Sequence, residues 1–570
     1  MRDSAPAWLR VRWSPSLLLV LLLCVAAGVR FGLLVAEWPA SNSDEGTMGL
    51  MAMHIAQGRD FPSFMYGQSY MGTAEAYLAA LIFRVFGASL IGLRTAMLLM
   101  YLLFLATMYV LARRLYGTTI ALVSVALLTL GSRELYGHQL VAQGAIPETL
   151  LAGTLLLLLA HRLLDTTHDT SHPHAHRWRL AGWGATATLG LWSTVLIAPF
   201  VLTSAVLVWM SLRRRTTPIP GSWPALGAGL LTGAIPWILH DLSRPWHDSG
   251  ILAVINMYLH GGTGLNGAAS PGLTTQVINT VTTSLSYVTG GSALAHPNSP
   301  PAWFFGMSGS WHPPTDDLVS TLWGIALILL WSIGLVTGIR LLRHHRATTA
   351  QQPTADMPTQ AQTWARLAML TAAALTVLAF AASPTPGVAP ANNFRYIIGV
   401  LIATPAVIAP LWALPAIPPR AGALLRTAVL TLTAITLTLG TVQAYRDAGQ
   451  GPTETPRRQL INALHHEGIT HIYSGYLECN RLTFLSNEHI TCAVLFGSPT
   501  DGLHPGLDRY QPYRTAVQAD PHATYVFRTS DIRNTVLAHS TCQWQKHWNL
   551  AGYHVWQPAQ RCPIPAEQGR

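Results

Sequence analysis

Long apolar runs separated by short polar connections fill the chain to about residue 445, after which the pattern breaks into short alternating elements. Runs of up to about 20 apolar residues match the thickness of a hydrocarbon core. They fall near 16–36, 92–112, 118–131, 146–163, 222–240, 319–341, 365–383, 396–414 and 421–443. Residues 180–211 read as two further short spans that turn near Trp192 and Ser193. In the tail, LINALHHEG predicts a helix stopped by Gly468 and THIYSG a strand. A helix near LECNRLTFLS, the strand ITCAVLF, a helix near 507–518 and the strand ATYVFRT follow. Helix and strand alternating in this way predict a small α/β unit. The fold class is therefore mainly α: a polytopic transmembrane helical bundle of about 11 spans over residues 1–445, then an α/β domain over 446–570.

Composition agrees with that class. Half of the residues are hydrophobic and 11% are charged, against roughly a quarter charged in soluble domains. The net charge of +10 does not point to nucleic acid, because the arginines are dispersed among the connections. Arg2, Arg10 and Arg12 precede the first span. Arg113, Arg114, Arg162, Arg177, Arg179, Arg213, Arg214, Arg215, Arg340, Arg343, Arg346, Arg420 and Arg426 all fall on that same side. Positive residues stay inside, so the scheme places the N-terminus in the cytoplasm of a multi-pass protein of the bacterial cytoplasmic (inner) membrane. An odd crossing number puts the tail outside, along with a first outer loop at 37–91 and a long outer loop at 241–318. The first span carries no small-residue cleavage site and reads as a retained anchor. Cys479, Cys492, Cys542 and Cys562 lie in the tail and favour two disulfides, with all three connectivities open. Cys24 is expected to be buried and inert within the first span. His161, His168, His172, His174 and His176 read as a solvated cytoplasmic linker.

The chemistry gathers in the first outer loop. Asp44-Glu45 stands a few residues past the first span, at headgroup height, where ionisable groups are costly and tend to be functional. Gly46–Gln57 predicts an amphipathic helix lying along the interface, with Met48, Met51, Ala52 and Ile55 on one stripe. A second helix near 73–86 begins with Glu75 and lines up Leu78, Leu81, Ile82 and Val85. Between them come Phe64, Tyr66, Tyr70 and three glycines. Each residue has a plain reading as well: Asp44 as a helix cap, Tyr66 and Tyr70 as interfacial belt residues, Arg395 as a snorkelling anchor.

The run SDEGTMGLMAMHIAQGRDFPSFMYGQSYMGTAEAYLAALIFRVFGASLIGLR resembles the first periplasmic loop of C-type (GT-C) glycosyltransferases. That family includes the protein O-mannosyltransferases and the aminoarabinose transferase of lipid A. Its acidic pair matches Asp44-Glu45, its G-x-S-x-x-x-L-R stretch resembles Gly87–Arg94, and Arg395-Tyr396 looks like its Arg-Tyr motif opening a late span. Many relatives carry Lys-Pro-Pro where this chain has Gly72-Thr73-Ala74-Glu75. The resemblance covers about residues 14–445 and stops before the tail.

It implies a GT-C fold and transfer of a sugar, hexosyl or pentosyl, from a polyprenyl-phosphate donor to an acceptor hydroxyl at the outer face. The acceptor is not legible. Asp44 would take the acceptor proton, with Glu45 as second base or acceptor orienter. Arg395 would stabilise the departing phosphate, with Arg94 and Arg59 as lesser candidates. Tyr396, Tyr66, Tyr70, Glu75 and Glu148 are expected substrate contacts, and Glu134 flanks the second outer loop. One displacement with one base inverts the anomeric carbon. No cofactor is expected. His54, His240 and His260 could join Glu45 or Glu75 around a metal, but the class implies none. A transporter or flippase for lipid-linked saccharides would show matched repeats with broken helices, and none is evident. A ligase would centre on a late outer loop rich in Arg and His. An assembly protein working through its tail would leave the acidic loop unexplained.

Overall fold

The computed structural model describes residues 14–166, 171–215, 217–242, 249–250, 252–253, 272–296, 317–347, 358–412 and 418–562. Arg2, Arg10, Arg12, His168, His260 and most of the 241–318 connection lie outside the described residues. Among the described residues, nine helices are long and apolar enough to cross a membrane. They are Pro15–Val35, Leu90–Tyr116, Ile146–Asp165, Val195–Arg214, Ser222–Leu242, Leu318–His345, Gln360–Ala381, Pro390–Trp412 and Pro419–Ala448.

The two remaining expected spans take other forms. Thr118–Thr129 is followed by Arg133–Leu140 at an angle of 85°. Ser132 caps the second piece by accepting from the Leu135 N–H at 3.1 Å. Arg30, fully buried in the first span, reaches this break and donates to the Thr129 carbonyl and to Gln139 Oε1, both at 2.9 Å. A cation at membrane depth thus serves carbonyls that the break releases from their helix. The other is Pro173–Ser193, a 21-residue helix too polar to join the nine. It packs closely on Ser222–Leu242 because Gly184, Gly229 and Gly233 leave no room for a Cβ between the backbones.

The first loop folds differently from its pattern. The acidic helix spans Ser43–Gln57 and is buried continuously from Glu45 to Ile55, so it does not lie along an interface. It is held between the helix Ala74–Phe86 and a helix of the tail. Ala74–Phe86 buries Ala76, Ala79, Ala80 and Phe83 and turns Leu81, Val85 and Phe86 outward, 61%, 73% and 82% exposed. Small residues make the protein contact and large apolar ones face away, the usual arrangement when the surroundings are lipid. Cys24 likewise is exposed rather than buried, on the face of the first span opposite Ala26, Arg30 and Leu33.

The tail is a six-stranded sheet of β1 (His471–Ser474), β2 (Thr491–Ser498), β3 (Gly502–Pro505), β4 (Thr524–Arg528), β5 (Trp544–Leu550) and β6 (Tyr553–Pro558). The strand order is β3-β2-β1-β4-β6-β5. β1 runs parallel to β2 and β4, and the flanking pairs are antiparallel. Residues on one sheet face (Ile472, Val494, Val526, Val555) pack with Leu460, Leu464 and Leu482. Residues on the other (Tyr473, Leu495, Tyr525, Phe527) pack with Val517 and Leu537. Disulfides join Cys479 to Cys492 and Cys542 to Cys562. The first ties helix Tyr476–Leu485 to β2, and this helix is the one that docks on the acidic helix.

Candidate active site

Asn42 caps the acidic helix: its side chain accepts from the Glu45 N–H at 2.8 Å. Asp44 is therefore released from the capping role and keeps 33% of its side chain exposed. Its Oδ1 accepts from Arg509 Nη2 at 3.0 Å and from the Tyr476 hydroxyl at 3.4 Å. Among the described residues, Oδ2 accepts no hydrogen bond. Tyr70 lies against the same group. Burial raises its phenol above the ordinary range despite Arg509, and Asp44, Tyr396 and Tyr476 push the same way. It therefore remains an O–H donor at the pocket.

Glu45 faces the opposite way. It is fully buried, and its two oxygens accept from Nε and Nη2 of Arg94, each at 2.8 Å. The pair is sealed beneath the pocket, so neither member reaches a substrate in this conformation.

Residues 142–144 stitch the pocket together. The Ala142 N–H donates to Glu45 Oε1 at 3.3 Å and the Gly144 N–H to Glu75 Oε2 at 2.9 Å. Between them, Gln143 Oε1 accepts from Asn42 at 3.2 Å and from Arg395 Nη1 at 3.3 Å, while its Nε2 contacts His138 Nδ1 at 2.8 Å. Gly144 and Ala145 both take positive φ, 81° and 77°, which turns these successive groups toward different partners. One side chain thus connects the cap of the acidic helix to Arg395. Arg395 also meets Tyr396, by a 3.2 Å hydrogen bond and by stacking 5.0 Å from its ring centroid. Among the described residues, the buried Arg395 Nε has no hydrogen-bond partner. Val400 and Leu401, five and six residues further on, line an apolar cavity of about 240 Å³ bounded also by Leu128, Trp323 and Leu437.

The other expected residues lie elsewhere. Tyr66 and Arg59 join a second cluster around His54, ten residues and about 15 Å along the helix from Asp44. There the Tyr66 hydroxyl contacts His54 Nδ1 at 2.7 Å and donates to Asp60 at 2.8 Å, and Glu488 receives His54, Arg59 and Tyr513. Glu75 and Glu148 form a buried pair. Burial first, and the neighbouring Glu148 second, raise the Glu75 carboxyl well above its usual range. Glu134 pairs with Arg133 at 3.0 Å. No group of three or more His, Cys, Asp or Glu suited to a metal occurs among the described residues.

The tail reaches the pocket through two glycines. A Cβ on Gly46 would stand 2.8 Å from the backbone of Asn480 and Arg481, and one on Gly49 2.6 Å from the Phe484 ring. Ser43 and Thr47 on the same face exchange hydrogen bonds with Tyr476 and Asn480 at 3.0 and 2.8 Å. Beside this seam Glu454 accepts from the Ser41 N–H. Its burial opposes ionisation, but Arg481 and Arg457 outweigh that and hold its carboxyl down at about 2. Gly46→Val is expected to undock the tail, since a backbone cannot yield as a side-chain tip does. Limited proteolysis would then cut rapidly after the last span, and an unchanged digestion pattern would refute the seam.

Residues 73–240 match the family model described as dolichyl-phosphate-mannose-protein mannosyltransferase. The match begins after the acidic pair and takes in Glu75, Arg94, Gln143 and Glu148. No curated protein matches the chain. Among solved structures, it is similar to ArnT from Cupriavidus metallidurans bound to undecaprenyl phosphate. Identity is 15% and TM-score 0.44, covering 94% of this chain and 97% of that one. It is also similar to the oligosaccharyltransferase AglB from Archaeoglobus fulgidus in complex with an inhibitory peptide and a dolichol-phosphate. Identity there is 12% and TM-score 0.45, covering 96% and 74%. Over residues 73–240 the chain is thus similar to the family described as dolichyl-phosphate-mannose-protein mannosyltransferase.

Proposed function

We propose that the protein is a membrane glycosyltransferase that moves a hexosyl or pentosyl unit from a polyprenyl-phosphate donor to an acceptor hydroxyl. It would act at the outer face of the bacterial cytoplasmic membrane, with a cytoplasmic N-terminus and an extracytoplasmic 446–570 domain. The observation that carries this reading is a part-exposed carboxylate, Asp44, on the helix whose cap, Asn42, is joined through Gln143 to Arg395. The family match over 73–240 supports it.

The geometry suits one displacement. Asp44 Oδ2 takes the acceptor O–H proton as that oxygen bonds to the anomeric carbon, while the bond from that carbon to the phosphate oxygen breaks. The bonding electrons leave with the polyprenyl phosphate, whose growing charge is met by the Arg395 guanidinium. The isoprenoid chain would enter the cavity at Val400 and Leu401, on the same segment, Phe394–Ala403, as Arg395. Glu45 and Arg94 fix the helix beneath, and Tyr70 and Tyr396 border the sugar.

Membranes containing the chain should release or transfer label from radiolabelled polyprenyl-phosphate mannose, glucose or arabinose. Arg395→Gln should reduce that turnover about 10²-fold, the usual scale for losing one charge-stabilising donor, and Arg395→Lys should restore part of it. Equal turnover in Arg395→Gln and the unaltered chain would remove the arginine from the reaction.

A further inference from the structure

We infer that the tail domain is part of the active site, and that its Arg509 is a positioning residue that aims the Asp44 carboxylate. The inference rests on the proposed role of Asp44. It goes beyond it by assigning a task to a domain that lies outside the residues 73–240 matched by the family model.

Arg509 sits just before the helix Gln511–Ala519, on the edge of the tail that faces the first loop. Its side chain is only 7% exposed, and its donors are spent within the protein. Nη2 donates to Asp44 Oδ1 at 3.0 Å and to the Tyr476 hydroxyl at 2.6 Å. Nε donates to the same hydroxyl at 3.0 Å, and Nη1 donates to the Tyr66 carbonyl at 3.5 Å. With its amide oriented to suit its neighbours, Gln68 accepts from Arg509 at 2.9 Å and donates to Tyr70 at 3.2 Å. A guanidinium so fully engaged is a clamp rather than a ligand-binding group.

Its effect on Asp44 is directional. Arg509 and Tyr476 both occupy Oδ1, which restrains the side chain and leaves Oδ2, among the described residues, without a hydrogen bond. A base must be held within hydrogen-bond reach of the proton it takes, and small misplacements are costly. The register that delivers this clamp comes from Gly46 and Gly49, which bring helix Tyr476–Leu485 against the acidic helix. Gly67, at φ 70°, lets the loop pass 3.3 Å from the Arg509 Cα, measured from where a Cβ would stand. Sequence features of the first loop and of the tail therefore serve one contact.

The test compares kcat and KM for the unaltered chain, Asp44→Asn, Arg509→Gln, Arg509→Lys and Tyr476→Phe. The probe is whichever of polyprenyl-phosphate mannose, glucose or arabinose turns over, with folded protein quantified by size-exclusion. Arg509→Gln should lower kcat about ten- to a hundredfold per folded molecule with KM within twofold. Arg509→Lys should recover part of that loss, and Tyr476→Phe should cost about three- to tenfold. A loss that follows only the folded fraction, or no loss in Arg509→Gln while Asp44→Asn is inert, overturns the positioning role and leaves the proposed function standing. Turnover by none of the probes, or full activity in Asp44→Asn, overturns the proposed function and this inference with it.

Discussion

Asp44→Asn is expected to lower sugar transfer about 10²- to 10⁴-fold at unchanged protein level, the usual contribution of a positioned general base. The substitution is close to isosteric, and its structural consequences are small. Asn42, not Asp44, caps the helix, and a third of the Asp44 side chain is already exposed. An amide oxygen can still accept from Arg509 and Tyr476 at Oδ1, so the clamp persists while the proton acceptor at the other position is replaced by an NH₂ donor. The loss should therefore appear in kcat, with donor KM little altered and the thermal transition in detergent unmoved. Measured side by side, initial rates and thermal transitions separate chemistry from folding. Equal rates in both chains would end the assignment of Asp44 as base. A low rate accompanied by a lowered transition would reassign the residue to structure.

The class of the molecule was legible from apolar run length, and so was the acidic pair. What the pattern misjudged is the direction in which helices pack. In water a stripe of large apolar residues marks the buried face, but Leu81, Val85 and Phe86 point outward, and the contacts are made by Ala76, Ala79 and Ala80. The acidic helix departs in another way: its Met48, Met51, Ala52 and Ile55 stripe is buried together with its other faces, and its glycines make the closest contacts. In the tail, β1, β2 and β4 follow from their β-branched and aromatic runs. β5 and β6 have a weak alternation (only β6 is well buried), and their turn is Ala551-Gly552, both at positive φ, rather than the Asn-Gly expected of such hairpins. The pocket itself was half legible. Asp44, Tyr70, Arg395 and Tyr396 are candidates the sequence offers, whereas Gln143, Tyr476 and Arg509 carry no motif, because what they do lies in long-range contacts. Arg94 was visible as part of a motif, yet only burial distinguishes a phosphate ligand from the partner of Glu45.

That distinction has a large consequence for stability. Arg94→Met is expected to cost about 3–5 kcal/mol, the range for breaking a buried ion pair by removing one member. Glu45 would be left with no cation beside it in a site closed to water, keeping only the Ala142 N–H at 3.3 Å. The acidic helix would shift to hydrate the carboxylate or the carboxyl would take up a proton, and either change disturbs Asp44 one residue away. If the pair were only a structural device, Glu45→Gln combined with Arg94→Met should recover most of the lost stability, since no unpaired charge remains. Thermal unfolding of the single and double variants in detergent measures this directly. Stability regained together with turnover would define the pair as a support for the helix. Stability regained without turnover would mean that the arginine acts on the reaction as well, through the position it gives to Asp44. A single Arg94→Met variant as stable as the unaltered chain would contradict the buried pair itself.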